Sequence, residues 1–192
     1  MSGKKGQITN KKGQLVIISG PSGSGKTTIC DRLKENLCIQ QSVSYTTRKP
    51  RGAEKNGIDY HFINKTRFIK LIEEEKLIEY AEYCGFLYGT PIEPVEEAIK
   101  NGRTFILAID VQGALQVKRK ISNMISIFIM PPGDEVLQLR LEKRLTDNKA
   151  SMQKRLKLAK EELKYSKYYD YCVINDQLDD TIERIKRIIN IP

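Results

Sequence analysis

The chain has a single histidine, His61, and only four cysteines, Cys30, Cys38, Cys84 and Cys172, at no metal-ligand spacing. A zinc site is therefore not expected. No stretch is apolar for long enough to span a bilayer, and the first residues lack a secretory apolar segment. These absences argue against membranes and predict a cytoplasmic protein with reduced thiols. Internal repeats and low-complexity segments are missing as well. The 192 residues, 40% of them apolar, suit one compact domain with small insertions. A chain of that size buries a core without disulfides or metals.

Aromatic rings are scarce where positive charge is dense. The net charge is +9, from 33 Lys and Arg against 24 Asp and Glu. Residues 140–167 hold ten of those cations and four of the acids, a local net charge of +6. Only Tyr165, Tyr168 and Tyr169 stand among them, which is poor support for base stacking in a nucleic-acid groove. Phosphorylated small molecules remain as partners for such a surface. Residues 1–13, with Lys4, Lys5, Lys11 and Lys12, read as a disordered basic tail.

Five short apolar runs are present: QLVIIS (14–19), SVSY (42–45), TFILAI (104–109), ISIFIM (125–130) and YCVI (171–174). Amphipathic helical patterns lie between most of them, and Ile182, Ile185, Ile188 and Ile189 give the last helix an apolar face. Near-continuous apolar strands alternating with helices predict an α/β fold, a five-stranded parallel sheet covered on both faces. Residues 46–90 break the alternation, with a helix near Phe68, Leu71 and Ile72 and two strands turning at Cys84-Gly85. Residues 140–160 break it again as a charged helical hairpin. The expected organisation is a core of 14–45, 91–139 and 161–192, an α+β insertion at 46–90, and a helical lid at 140–160.

The run GPSGSGKT, Gly20 to Thr27, follows the first apolar run and opens a helix. It satisfies G-x-x-x-x-G-K-[ST] in the strand–loop–helix context that gives the motif its meaning. Gly20, Gly23 and Gly25 let backbone N–H groups close around phosphate oxygens, and the helix N-terminus adds partial positive charge. Lys26 suits the β- and γ-phosphates, and the Thr27 hydroxyl suits Mg²⁺. Gly20, Ser22, Gly23, Ser24, Gly25, Lys26, Thr27 and Thr28 are the candidate contacts for a nucleoside triphosphate such as ATP. The lysine-rich hairpin fits a lid that closes over it.

An acceptor must then face the γ-phosphate. Arg48 and Arg51 flank Pro50, which stiffens the loop and presents two guanidinium forks. Such forks bind a phosphate dianion bidentately, and Tyr60 and Tyr88 offer phenolic donors to the same group. A nucleoside monophosphate therefore fits as acceptor. Guanine presents two donors beside O6; the Glu79 carboxylate takes both, and hydroxyls of Ser44 or Thr90 serve O6. Adenine would leave that carboxylate unpaired.

Together, SVSYTTRKPRGAEKNGIDYHF, LIEYAEYCGFLYGTP and IDVQGA beside GPSGSGKT closely resemble the guanylate kinases. The resemblance runs from about Gln14 to the C-terminus, with the motifs in family order. It implies ATP and GMP as substrates, dGMP as a compatible acceptor, Mg²⁺ as cofactor, and a core with a GMP-binding insertion and lid. It also implies that Ser44, Glu79, Thr90 and Asp110 hold the guanine, while Arg48, Arg51, Tyr60 and Tyr88 hold its phosphate. Glu54 matches a family acid beside the arginine loop and counts among the GMP-binding candidates, expected either to orient Arg51 or simply to be solvated. Arg144 and Arg155 match lid arginines that reach the triphosphate and join Lys26 and Arg48 as catalytic candidates. Either a monomer or a homodimer is compatible.

Two positions depart from the family pattern. Ala108 stands where an acid usually precedes Asp110 by two residues, and Leu145 stands where glycine usually follows the first lid arginine. Strand alternation predicts that an acid at 108 would share a side with Asp110. Scaffold domains that resemble these kinases keep the fold but have degraded phosphate loops, whereas Gly25, Lys26 and Thr27 are intact here. A kinase for a ribose bisphosphate would share GPSGSGK, but Glu79 and the Tyr88-Gly89-Thr90 run argue against it. In VIND, Asn175 fits either a contact on the adenosine side or a turn.

Overall fold

The computed structural model describes residues 13–36, 38–142 and 149–191. The basic tail before Gly13 lies outside them, as do Arg144 and Leu145. Nine strands are described: β1 (Gln14–Ser19), β2 (Ile39–Gln40), β3 (Tyr45–Thr46), β4 (His61–Phe62), β5 (Leu77–Tyr83), β6 (Phe86–Pro91), β7 (Thr104–Ala108), β8 (Ile125–Met130) and β9 (Tyr171–Ile174). The helices are α1 (Lys26–Leu33), α2 (Lys65–Glu73), α3 (Glu93–Lys100), α4 (Val111–Lys120), α5 (Asp134–Glu142), α6 (Lys149–Leu163) and α7 (Leu178–Ile188).

A five-stranded sheet runs in the order β2-β7-β1-β8-β9, and every pairing in it is parallel. Alternation along β1 divides the core. Val16 and Ile18 face Ile29, Cys30 and Leu33 of α1 and Ile182 and Ile185 of α7. Leu15 and Ile17 face Val95 and Ala98 of α3 and Val111, Ala114 and Val117 of α4. A sheet covered on both faces needs strands that are apolar on both sides, which is why the runs at 14–19, 104–108 and 125–130 are nearly unbroken. β1 lies between β7 and β8, so its carboxyl end opens where strand order reverses, the usual crevice for ligands.

The fifth core strand is Ile39–Gln40, and not the 42–45 run. Two residues with one buried apolar side chain leave too short a pattern to stand out, whereas Val43 and Tyr45 between polar residues imitate a strand. Tyr45–Thr46 instead enters a second sheet of order β4-β3-β6-β5. The boundary expected between Tyr45 and Thr46 thus falls inside β3. Phe68 and Leu71 of α2 bury against Leu77 to give this sheet its own small core. The β5–β6 turn is made by Cys84 and Gly85, both with positive φ (53° and 84°), as a tight hairpin requires.

Leu137 and Leu141 of α5 pack with Ala159 and Leu156 of α6. The cysteines are unpaired; burial pushes the Cys30 thiol up to about 12. Among the described residues no helix is long and apolar enough to cross a membrane.

Candidate active site

Beyond Ser19 the chain turns through Gly20–Gly25 into α1. Gly20, Gly23 and Gly25 have φ of 141°, 86° and 97°, where side chains with a Cβ are strained. Gly20 also lies against the Ile129 carbonyl of β8, with which a Cβ would collide. Lys26 folds back over the loop, its Nζ donating to Gly20 O at 2.6 Å and Pro21 O at 3.0 Å. Thr27 and Thr28 are exposed on the first turn of α1. A curled loop, a helix N-terminus and one lysine make a receptor for phosphate. Ser24 is wholly buried, and its Oγ has no partner among the described residues.

A second group assembles on the four-stranded sheet. Thr90 Oγ1 donates to Glu79 Oε1 at 2.6 Å, and Ser44 Oγ lies 3.0 Å from the same hydroxyl. A register shift between Leu77 and Glu79 sets Glu79 opposite Thr90, a use of bulges common beside functional sites. Glu79 is 4% exposed. Burial pushes its carboxyl up to about 7; the Thr90 hydrogen bond opposes that shift and the charge of Asp110 adds to it. Gly113 of α4 lies so close that a Cβ there would collide with Glu79 Oε2. The glycine in DVQGA thereby lets a helix close over a buried carboxylate.

The arginine loop departs from expectation in one respect. Both Glu54 oxygens hold Arg48, at 2.7 Å and 2.9 Å, and only the Arg51 main-chain N–H, at 2.7 Å, reaches Glu54. No hydrogen bond from the Arg51 guanidinium to Glu54 is present among the described residues, so the acid orients Arg48. The reason is burial. Arg48 is 6% exposed, and a buried guanidinium needs a counter-charge. Its Nε also donates to the Tyr88 hydroxyl at 3.2 Å, and its guanidinium lies 5.3 Å from the Tyr60 ring centre. Burial opposes the Arg48 charge, but hydrogen bonds to Glu54 and Tyr88 more than offset it and raise its pKa. The same bond from Arg48 holds the Glu54 carboxyl below its usual range. Tyr60 meets Tyr88 edge-on at 5.9 Å, so Arg48, Glu54, Tyr60 and Tyr88 form one cluster beside Arg51.

Asp110 links the two groups. It caps α4, its Oδ1 accepting from Gly113 N at 2.8 Å. Burial raises its carboxyl, and the charge of Lys26 opposes that rise. Its charge couples to Lys26 of the phosphate loop and to Glu79 of the second group. β7 ends at Ala108, so strict alternation does not extend to Asp110. Ala108 is half-buried against the α1 side of the core. Arg155 falls within α6; Arg144 lies outside the described residues.

Two residues gave no clear signal in the sequence. Glu162 of α6 is largely buried, with its carboxylate against the Ser22 main-chain N–H of the phosphate loop. Burial pushes its carboxyl up to about 7, against the charge of Lys26 and with that of Asp110. Asn175, after β9, donates from Nδ2 to Ser24 O at 2.8 Å inside the phosphate loop. Neither could be found by spacing, because each meets the loop only through the fold.

A parallel sheet with a phosphate loop at the end of its central strand defines a P-loop nucleotide-binding protein. The sequence profile of the family described as guanylate kinase matches residues 12–191. The chain belongs to the guanylate kinase family. It is 44% identical over 178 residues to a guanylate kinase of Desulfitobacterium hafniense, covering 92% of this chain and 89% of that one. It is 45% identical to one from Synechocystis sp. over 182 residues, 94% of this chain and 95% of that one. The crystal structure of guanylate kinase from Anaplasma phagocytophilum superposes with a TM-score of 0.80. That protein is 34% identical, and the match covers 94% of this chain and 86% of that one.

Proposed function

We propose that the chain transfers the γ-phosphoryl group of ATP to the phosphate of GMP, giving ADP and GDP. The observation that carries this reading is the Ser44–Thr90–Glu79 chain of hydrogen bonds, in which Thr90 and Glu79 are buried. Glu79 keeps Oε2 for the N1–H and N2–H₂ donors of guanine, while the Ser44 and Thr90 hydroxyls flank the base and Asp110 closes its far side. Arg48, Arg51, Tyr60 and Tyr88 take the GMP phosphate, with Glu54 fixing the direction of Arg48.

The donor lies on the Gly20–Thr28 loop, with Lys26 across its β- and γ-phosphates and Arg144 and Arg155 arriving from the lid. An acceptor phosphate oxygen is already anionic, so no general base is required. Alignment and charge neutralisation do the work. The exposed Thr27 hydroxyl at the head of α1 fits a hydrated divalent cation, which takes oxygen ligands and keeps much of its water. Thr27 would hold Mg²⁺ together with the nucleotide's own oxygens, and the ion would neutralise phosphate charge. The unpaired thiols fit a reducing cytoplasm.

A coupled assay of ADP release with GMP, dGMP and AMP tests the reading. GMP is expected to be the best acceptor, dGMP to be accepted through the same base and phosphate, and AMP to be poor. Equal turnover of AMP and GMP would overturn the role given to Glu79.

A further inference from the structure

Asn175 stands 151 positions from the phosphate loop in sequence and touches it directly. It is buried, and each of its polar atoms has a partner. Nδ2 donates to Ser24 O at 2.8 Å, and Oδ1 lies 3.2 Å from Thr181 Oγ1. Its main-chain N–H donates to Met130 O at 2.8 Å, and its carbonyl accepts from Arg140 Nη2 at 3.1 Å. One residue thus joins the end of β8, helix α5, helix α7 and the phosphate loop.

The contact with Ser24 controls a peptide plane. A carbonyl only accepts, so the atom facing it must be the amide nitrogen, which requires Asn rather than Asp. In a trans peptide the C=O and the following N–H point in opposite directions, and no cis bond is present among the described residues. Holding the Ser24 carbonyl against Asn175 therefore turns the Gly25 N–H the other way. Gly25 has φ of 97° and lacks the Cβ that would limit rotation. A Cβ there would also collide with Asn175 Nδ2, so this glycine serves the clamp as well as the turn.

We propose that Asn175 is a positioning residue of the phosphate loop, fixing the Ser24–Gly25 peptide so that the Gly25 N–H faces the donor's phosphates. Released from Asn175, that peptide can rotate and set a carbonyl against phosphate oxygens, replacing attraction with repulsion. This deepens the reading of Gly20–Thr28 as the donor site and rests on it.

The test is titration calorimetry of ADP and of GMP, well below each variant's melting temperature. Asn175→Ala removes the donor and is expected to weaken ADP about tenfold, the upper range for one neutral hydrogen bond. Asn175→Asp sets acceptor against acceptor and should weaken ADP further. GMP affinity should stay within about twofold in both, because the loop is not its phosphate site. Thr181→Val keeps Asn175 but removes the hydroxyl beside Oδ1, and should show a smaller loss confined to ADP. ADP affinity unchanged in the folded Asn175 variants, or ADP and GMP falling equally, would overturn the proposal. If the Asn175 variants do not fold, Thr181→Val decides it: unchanged ADP affinity counts against the clamp. Lys26→Ala is the control for the underlying reading. ADP binding indifferent to that change would refute the donor site itself, whereas a loss in Lys26→Ala alone would refute only the clamp.

Discussion

Glu79 and Thr90 are Cα partners across β5 and β6 and are also joined by a 2.6 Å hydrogen bond between their side chains. The backbone register and the side-chain bond fix the same geometry twice. A hydroxyl that donates to Oε1 leaves Oε2 as the acceptor for a ligand, and Gly113 lets that oxygen sit against α4. Glu79→Gln keeps the size but replaces an acceptor with a donor where guanine also has donors. The ratio of kcat/KM for GMP over AMP should fall, chiefly through loss with GMP. Discrimination of this kind reaches about 10⁴–10⁵ in sites built around one polar contact. An unchanged ratio would move base recognition elsewhere.

The same carboxylate predicts a pH dependence of stability. Glu79 titrates near 4.5 when unfolded and at about 7 in the folded protein, because burial disfavours its charge. Between those values the folded protein holds the extra proton, so this residue lowers stability as pH rises. Above about 7 both states are ionised and the loss stops. Glu79→Gln removes that slope, so its melting temperature relative to the parent should climb from pH 5 to pH 8. The full effect is at most about 3 kcal/mol. Parallel melting curves across that range would show that Glu79 is not strained by ionisation.

Glu54→Gln separates the roles of the two loop arginines. Arg48 would lose its bidentate counter-charge while remaining buried. A charged hydrogen bond contributes about 1.5–3 kcal/mol, so a lower melting temperature is expected. KM for GMP should rise while KM for ATP holds, because Arg48 loses its direction and the donor loop is untouched. A selective effect on ATP would contradict the placement of this cluster on the acceptor.

How much of this was legible in advance follows from where each interaction lies in sequence. The phosphate loop could be read because its glycines, lysine and threonine are consecutive and each serves the same local turn. The hairpin around Glu79 could be read because its strands flank one turn. Glu54 reaches Arg51 only at its main chain and gives its charge to Arg48; spacing cannot tell the two arginines apart, and only burial separates them. Ile39–Gln40 leaves no signal because two residues carry no period. Asn175 lay between two alternatives because its partner, the Ser24 carbonyl, is a main-chain atom that leaves no mark in the sequence.

Ala108 offers the last test. It pairs with Ile18 in the sheet and packs on the face that carries α1. The exposed Thr27 heads that same helix. An acid at 108 would therefore enter the crevice from the side where Thr27 would hold the cation. A methyl group supplies no ligand there, which leaves the nucleotide oxygens, water and Thr27. Asp110 does not substitute simply, because its Oδ1 is committed to Gly113 N. Ala108→Asp should therefore lower the Mg²⁺ concentration at half-maximal rate. It should also tighten Mn²⁺ in the enzyme–ADP complex, as read by electron paramagnetic resonance without turnover. Residue 108 is half-buried, so circular dichroism must first show that the variant is folded. Overlapping Mg²⁺ titrations and equal Mn²⁺ affinity in two folded proteins would mean that the crevice already satisfies the ion without an acid at 108.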